Sequence, residues 1–586
     1  MLTVTRATVH PALCLAIGWM GLGCSPAQPD PAAAVNRFAD HFLAAWIDQF
    51  PEDATTEDLP GADHGRLTDN SLEAQDRWNA RVDSMLGRLE AIDTSGLGDR
   101  PEAVTYGVVR SVLERSRAGR ICRDELWAVN SYVNGWQAGL TDLARVQPVG
   151  TDSLRALALT RARAIPGYVE REIANLRDGL DQGYSSPRVI VEAVLQQIDD
   201  LIATPAPESP FGVPAARDST PAFREAYHAI VSQEIGPALR RYRDYLANDY
   251  LPRAREALGV SANPNGLACY GARLLSFSTV EVPADSVYAT GLRELERIGR
   301  EMRVIGRRLF QTEDLDEVIR RAATDRTYRF RSEADLMRHA QAAMDRAAAA
   351  SSAAFGITTT ARVEIEPYPE FRARAGAPGQ YQSPPEDGSR DAIYLINTWR
   401  PEAQSRTSVE ATTFHEAWPG HHQQVMVARQ AAGMHLVTRV FFNSGFGEGW
   451  ALYAERVADE QGLYSGDIDR LGYFASQAFR AARMVIDAGI HTRGMGYDEA
   501  ATYLRSYTTM APAQVTGEVN RYISWPGQAP SYMIGNLEIL KLREEARRRL
   551  GDRFDIRAFH DRVLERGNVT LPMLRDHVER WIRQTP

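Results

Sequence analysis

The sequence predicts a mainly α protein, one large helical body with a small β element beside the helix that carries its chemistry. Three observations predict this. Apolar residues recur at spacings of three and four with charges between them over most of the chain. The β-prone runs are confined to one stretch punctuated by Pro and Gly, residues 363–398. No linker has the composition of a domain boundary, and there is no internal repeat.

The chain has 586 residues, enough to bury a large core, and its 44% hydrophobic and 24% charged content is that of a globular protein. A formal charge of -9 argues against a nucleic-acid partner or an anionic membrane surface, since both require clustered cations. Lys541 is the only lysine, so nearly all positive charge is carried by arginine.

The N-terminus is the first element. Arg6 precedes the apolar run "PALCLAIGWMGLG", too short to span a bilayer and suited to the core of an export signal. Residues 1–23 are read as that signal. Cys24, followed by Ser25, resembles the lipidated cysteine of a bacterial lipoprotein, although Gly21 stands where leucine is usual. The expected location is therefore periplasmic or outer-membrane-anchored, with membrane contact only through an N-terminal lipid. Residues 24–34, with "SPAQPDPAAA", read as a flexible tether to a body spanning 35–586. No later stretch has the length and apolarity of a membrane helix. Cys122 and Cys269 remain in the body, either paired or as two buried thiols.

Helical patterning follows in "AVNRFADHFLAAWIDQF", "SLEAQDRWNARVDSMLGRLEAI", "DSVYATGLRELERIGREMRVIGRRLF" and "SEADLMRHAQAAMDRAAAASSAAF". The proline-rich residues 204–223 read as a surface loop, and "AIYLINT" (392–398) is the best strand. Thr407 and Glu410 have capping-box spacing at the start of a helix that carries "FHEAWPGHHQQV".

That segment departs from the H-E-x-x-H zinc motif, because Pro419 stands four residues after His415 and is followed by Gly420, His421 and His422. In a regular helix His421 lies about 600° around from His415 and points away from it. Pro419 cannot donate to the His415 carbonyl, and Gly420 permits backbone angles that other residues resist, so two extra residues are absorbed as a bulge or kink. His421 then becomes the second ligand; His422, two turns above His415, is the alternative. In "NSGFGEGWALYAERVADE", Glu448 is the candidate third ligand and Glu455 follows two turns later. Glu416, beside a ligand but not itself one, is the candidate general base. His228, His339, His435, His491 and His577 lack such company and read as surface or core residues.

"HEAWPGHHQQ", "GFGEGWALYAE" and "RYISWPGQAPSYMIG", in this order, resemble the bacterial domain-of-unknown-function family 885. That family is in turn similar to helical zinc peptidases such as thermostable carboxypeptidases, oligopeptidases and angiotensin-converting enzyme. The resemblance implies a deep cleft between helices, Zn2+ as cofactor and a short peptide as substrate. It also implies an exposed strand edge that holds the substrate backbone, for which "AIYLINT" is the candidate. A tyrosine that stabilises the oxyanion is expected at Tyr532, with Tyr522 second, and Arg521 is the candidate for binding a substrate carboxylate. The two-residue insertion in the metal motif departs from those peptidases. The reading is an exported zinc metallopeptidase; its alternatives are a non-catalytic envelope lipoprotein that binds a peptide or protein, and a metal-dependent amidase on a non-peptide substrate.

Overall fold

In the computed structural model, which describes residues 30–132, 135–368, 378–385, 388 and 390–585, the periodic stretches form helices where the sequence predicts them. α1 (Pro31–Gln49) buries Phe38, Phe42 and Leu43 on one stripe, and α2 (Leu72–Glu90) buries Trp78, Val82, Met85 and Leu89 at helical spacing. α1 opens with proline, and Asp30 accepts a hydrogen bond from the Ala32 amide. The expected tether therefore gives way to helix before residue 34. Residues 1–23 and Cys24 lie outside the described residues.

α3 (Pro101–Gly119) packs on α1 and α2, while α4 (Asp152–Asp181) and α5 (Arg188–Ala203) build a second core with Phe211, Tyr227, Tyr242 and Tyr250. The stretch 204–223 is more than a surface loop. Its prolines start short helical turns at Pro210–Gly212 and Val213–Ala216 and a helix at Pro221, and this sinks Phe211 and Ala215 into that core. α6 (Gly266–Ser278) carries Cys269, which forms a disulfide with Cys122, so the paired reading of these cysteines holds. α7 (Ala284–Phe310) and α8 (Glu333–Ala354) follow.

The β element is a three-stranded sheet of β1 (Val363–Pro367), β2 (Gly379–Gln382) and β3 (Ala392–Ile396), in the order β1-β3-β2. β3 runs parallel to β1 and antiparallel to β2. The expectation that "AIYLINT" offers an open edge is therefore corrected. Its near-continuous apolar run, with Ala392, Tyr394 and Ile396 buried, marks a central strand covered by neighbours. The edge strand beside the site is β2.

Six helices then carry the chemistry: α9 (Val409–Glu416), α10 (His421–Gln430), α11 (Ser444–Glu460), α12 (Asp467–Arg493), α13 (Pro512–Ser524) and α14 (Ser531–Leu550). α12 is buried around most of its circumference and runs along α7, so it forms the axis of the largest core. α9 wedges between α8, α11 and α12. α11 and α14 cross at glycines, where a β-carbon on Gly535 would overlap the Gly445 carbonyl and one on Gly449 would overlap Gly535. This close approach explains the glycines of "GFGEGW" and "SYMIG", and it packs the start of α14, which carries Tyr532, against the start of α11, which carries Glu448. Among the described residues, no helix is long and apolar enough to cross a membrane.

Candidate metal centre

The proline and glycine of "HEAWPGHH" do more than kink a helix. α9 stops at Glu416, residues 417–420 form a turn, and α10 starts anew at His421. The Trp418–Pro419 peptide is cis. A β-carbon at position 420 would overlap the His415 carbonyl, so only glycine lets the chain fold back this tightly. The turn is tied to α11 by Trp450, whose indole N–H donates to the Pro419 carbonyl at 3.1 Å.

The break solves the register problem. His415 Nε2 lies 3.4 Å from Glu448 Oε2, and His421 Nε2 lies 3.5 Å from the same oxygen. One donor atom from each of His415, His421 and Glu448 falls within 4.8 Å of the others. Two imidazole nitrogens and a carboxylate oxygen, converging on one point, are the donor set of a catalytic zinc site with a position left open. The other nitrogen of each histidine is held as such a site requires. His415 Nδ1 donates to Glu455 Oε1 at 2.9 Å, and His421 Nδ1 donates to Gln424 Oε1 at 3.2 Å. Gln477 of α12 in turn donates to the Leu452 carbonyl and to Glu455.

The triad is electrostatically coupled. Burial disfavours a charged His415, yet hydrogen bonds to Glu448 and Glu455 outweigh it and carry this imidazole up to about 9. Burial also pushes Glu448 up, but His415 and His421 hold it well below the usual carboxylate range.

His422 does not converge with His415 and Glu448. Its Nε2 donates to the Ala361 carbonyl at 3.0 Å and its Nδ1 accepts from the Tyr381 hydroxyl at 3.2 Å, so both ring nitrogens are spent on structure. Burial lowers it to about 4, which keeps it neutral. Tyr381, on edge strand β2, also donates its amide to Glu416 Oε2 at 2.8 Å. One residue thus anchors both the spare histidine and the candidate base.

Tyr532 stands next to the triad, its ring stacked 6.5 Å from that of His415. Arg521 donates to the Tyr532 hydroxyl at 3.3 Å and to Gln528 at 2.5 Å. Tyr522 does not reach the site: its side chain is fully buried, and its hydroxyl accepts from Arg483 Nε at 3.3 Å. Its expected role in touching substrate is withdrawn, because a phenol sealed in the core behind Arg483 meets no ligand.

The capping box at Thr407 is also corrected. α9 starts only at Val409, and Glu410 is buried, where it accepts from Arg346 at 2.7 Å and from the Ser465 amide at 2.9 Å. His339, which seems isolated in the sequence, joins Glu410 and Asp469 at 3.4 and 3.1 Å. Arg346 and Arg406 already neutralise those two carboxylates, so this second cluster locks the start of α9 to α8 and α12.

Sequence reasoning missed Tyr381, Gln424 and the orienting role of Glu455. Only Glu455 left a signal, a second glutamate two turns after Glu448 on the same helix.

Comparison with known proteins places the family and the fold. Residues 51–578 match the family described as bacterial protein of unknown function, DUF885. A crystal structure from Colwellia psychrerythraea, described as a "putative lipoprotein", is similar over 95% of this chain and 100% of its own, at 25% identity and a TM-score of 0.87. Another from Shewanella oneidensis, also described as a "putative lipoprotein" and of unknown function, covers 92% of this chain and 99% of its own, at 17% identity and a TM-score of 0.75. No curated protein matches. With the match spanning nearly all of the body, the chain belongs to the DUF885 family of bacterial proteins of unknown function.

Proposed function

We propose that this protein is an exported zinc-dependent peptidase that hydrolyses short peptides. The observation that carries the reading is the convergence of His415, His421 and Glu448 on one point, with Glu416 next to His415 in the chain and held by the Tyr381 amide. A zinc ion held by these three residues would supply Lewis acidity toward a scissile carbonyl and toward a water.

The remaining chemistry belongs to the chain. The Tyr381 amide holds Glu416 by Oε2, which leaves Oε1 to take a proton from the attacking water and pass it to the leaving amine. Tyr532 accepts a hydrogen bond from Arg521, so its own proton is free to meet the oxyanion that develops on the substrate. Glu455 fixes the orientation of His415. Arg521 enters the reading as a substrate-binding cation. The export sequence, Cys24 and the two similar structures described as lipoproteins support placement in the bacterial envelope.

The experiment is to measure metal content and cleavage of a mixed peptide library by mass spectrometry, for the unsubstituted protein and Glu416→Gln. The peptidase reading expects one zinc per chain in both, and cleavage reduced about 10²- to 10⁴-fold by the substitution. A zinc-loaded protein that cuts nothing supports the binding lipoprotein instead, and cleavage of acylated non-peptide amides alone supports the amidase.

A further inference from the structure

Beside the metal triad lies a second, unassigned constellation. The guanidinium carbons of Arg480, Arg483 and Arg521 stand 5.8, 4.6 and 5.9 Å from the centre of the Tyr532 ring, itself 6.5 Å from His415. Arg480 and Arg483 come from α12, where Gln477, Arg480, Arg483 and Asp487 recur at helical spacing on one stripe; Arg521 comes from α13.

The charges do not balance. Glu518 is the only carboxylate paired with these arginines among the described residues, at 3.0 Å from Arg483 and 3.5 Å from Arg521. Among the described residues Arg480 donates only to the Ser476 hydroxyl, at 2.7 Å. Asp487 is taken by the Tyr270 hydroxyl at 2.6 Å and by the Gly527 amide at 3.0 Å, and burial pushes it up to about 7. Each guanidinium also keeps a buried N–H without a partner among the described residues: Arg480 Nε, Arg483 Nη1 and Arg521 Nε. A network built only for stability pairs its buried cations and fills their hydrogen bonds, because unpaired buried charge and unmet donors are costly. The second cluster, at His339, balances its charge with two arginines against two carboxylates, although Arg406 Nε there also lacks a partner among the described residues.

We infer that Arg480, Arg483 and Arg521 form a subsite for a carboxylate of the substrate, held by planar guanidinium forks grouped around the Tyr532 ring. The inference rests on the peptidase reading for what bears the carboxylate, which is either the free C-terminus of a peptide or an acidic side chain. It adds Arg480 and Arg483 as specificity-determining residues, and it makes the enzyme selective for anionic peptides despite a chain that is itself acidic.

The test measures peptide affinity by calorimetry on the Glu416→Gln protein, so that peptides survive the measurement. The probes are tetra-alanine with a free C-terminus, its C-terminal amide, acetyl-Ala-Glu-Ala amide and acetyl-Ala-Gln-Ala amide. The subsite predicts that at least one carboxylate probe binds about tenfold or more tightly than its uncharged partner. Discrimination by the first pair assigns a C-terminal carboxylate, and by the second pair an acidic side chain. Arg480→Gln should reduce the discrimination while leaving the thermal midpoint unchanged, because among the described residues Arg480 donates only to Ser476; Arg521→Gln should reduce it as well. Equal affinity for all four probes, no measurable binding, or discrimination that survives both substitutions overturns the inference. Discrimination without hydrolysis by the unsubstituted protein refutes the peptidase reading and leaves the subsite standing; hydrolysis without discrimination does the reverse.

Discussion

His415 Nδ1 and Glu455 Oε1 stand 2.9 Å apart in the core, joining the helix that carries His415 to the helix that carries Glu448. Glu455 is fully buried, and its second oxygen accepts from Gln477. The carboxylate fixes the His415 tautomer, so that Nε2 would present its lone pair to a bound ion. Glu455→Ala should weaken zinc binding by about 10- to 100-fold, and Glu455→Gln by less, since an amide oxygen still accepts the Nδ1 proton. Competition with a chromogenic chelator measures both.

The adjacent histidines make opposite predictions. His421→Ala removes a ligand and should abolish stoichiometric zinc. His422→Ala should keep the zinc and instead destabilise the fold by about 1–3 kcal/mol, because the Ala361 carbonyl and Tyr381 hydroxyl lose their partner. Metal analysis and chemical denaturation of the two variants separate the roles.

A pH effect follows from His560. It is buried, with Nδ1 donating to the Ala354 carbonyl and Nε2 accepting from the Tyr453 hydroxyl, and burial lowers it to about 4. The unfolded chain takes up a proton near pH 6.5 that the native protein refuses until about pH 4. The stability His560 contributes above pH 6.5 is thus lost as the pH falls to about 4, an effect on the order of 2–3 kcal/mol. Denaturation of the wild type and His560→Gln at pH 7 and 4.5 should show the wild type losing that much more. The difference between the two isolates His560 from Glu172 and Asp487, whose carboxyls burial pushes up to about 7 and whose effect has the opposite sign.

The Cys122–Cys269 disulfide closes a separation of 147 residues and ties α6 to the turn after α3. Removing it by Cys122→Ser should cost about 2–5 kcal/mol, read as a fall in the thermal midpoint of oxidised protein and no fall between wild type and variant under reductant. The bond also fits an oxidising compartment outside the cytoplasm.

The helices and two of the three converging side chains were legible because both rest on local information. Period-3.6 apolar stripes marked α1, α2, α7 and α8, and residue chemistry singled out His415, Glu416 and Glu448. The choice between His421 and His422 was not legible, since it depends on the backbone of residues 417–420 and on whether Ala361 and Tyr381 are there to occupy His422. β3 was recognisable as a strand, but whether it lay at the centre or the edge was decided by partners distant in sequence. Arg480 and Arg483 were hidden for a similar reason: on a helix buried nearly all round, no polar face distinguishes a site from a core. Glu410 misled because its spacing from Thr407 fits a cap, while its tertiary partners Arg346 and Ser465 claim it instead.

Anomalous diffraction at the zinc absorption edge, from crystals of protein purified with zinc, tests the central claim most directly. The account predicts a single peak bridging His415 Nε2, His421 Nε2 and a Glu448 carboxylate oxygen, lost in His421→Ala crystals. A peak at His339, Glu410 and Asp469 instead, or no peak at either cluster, would contradict it.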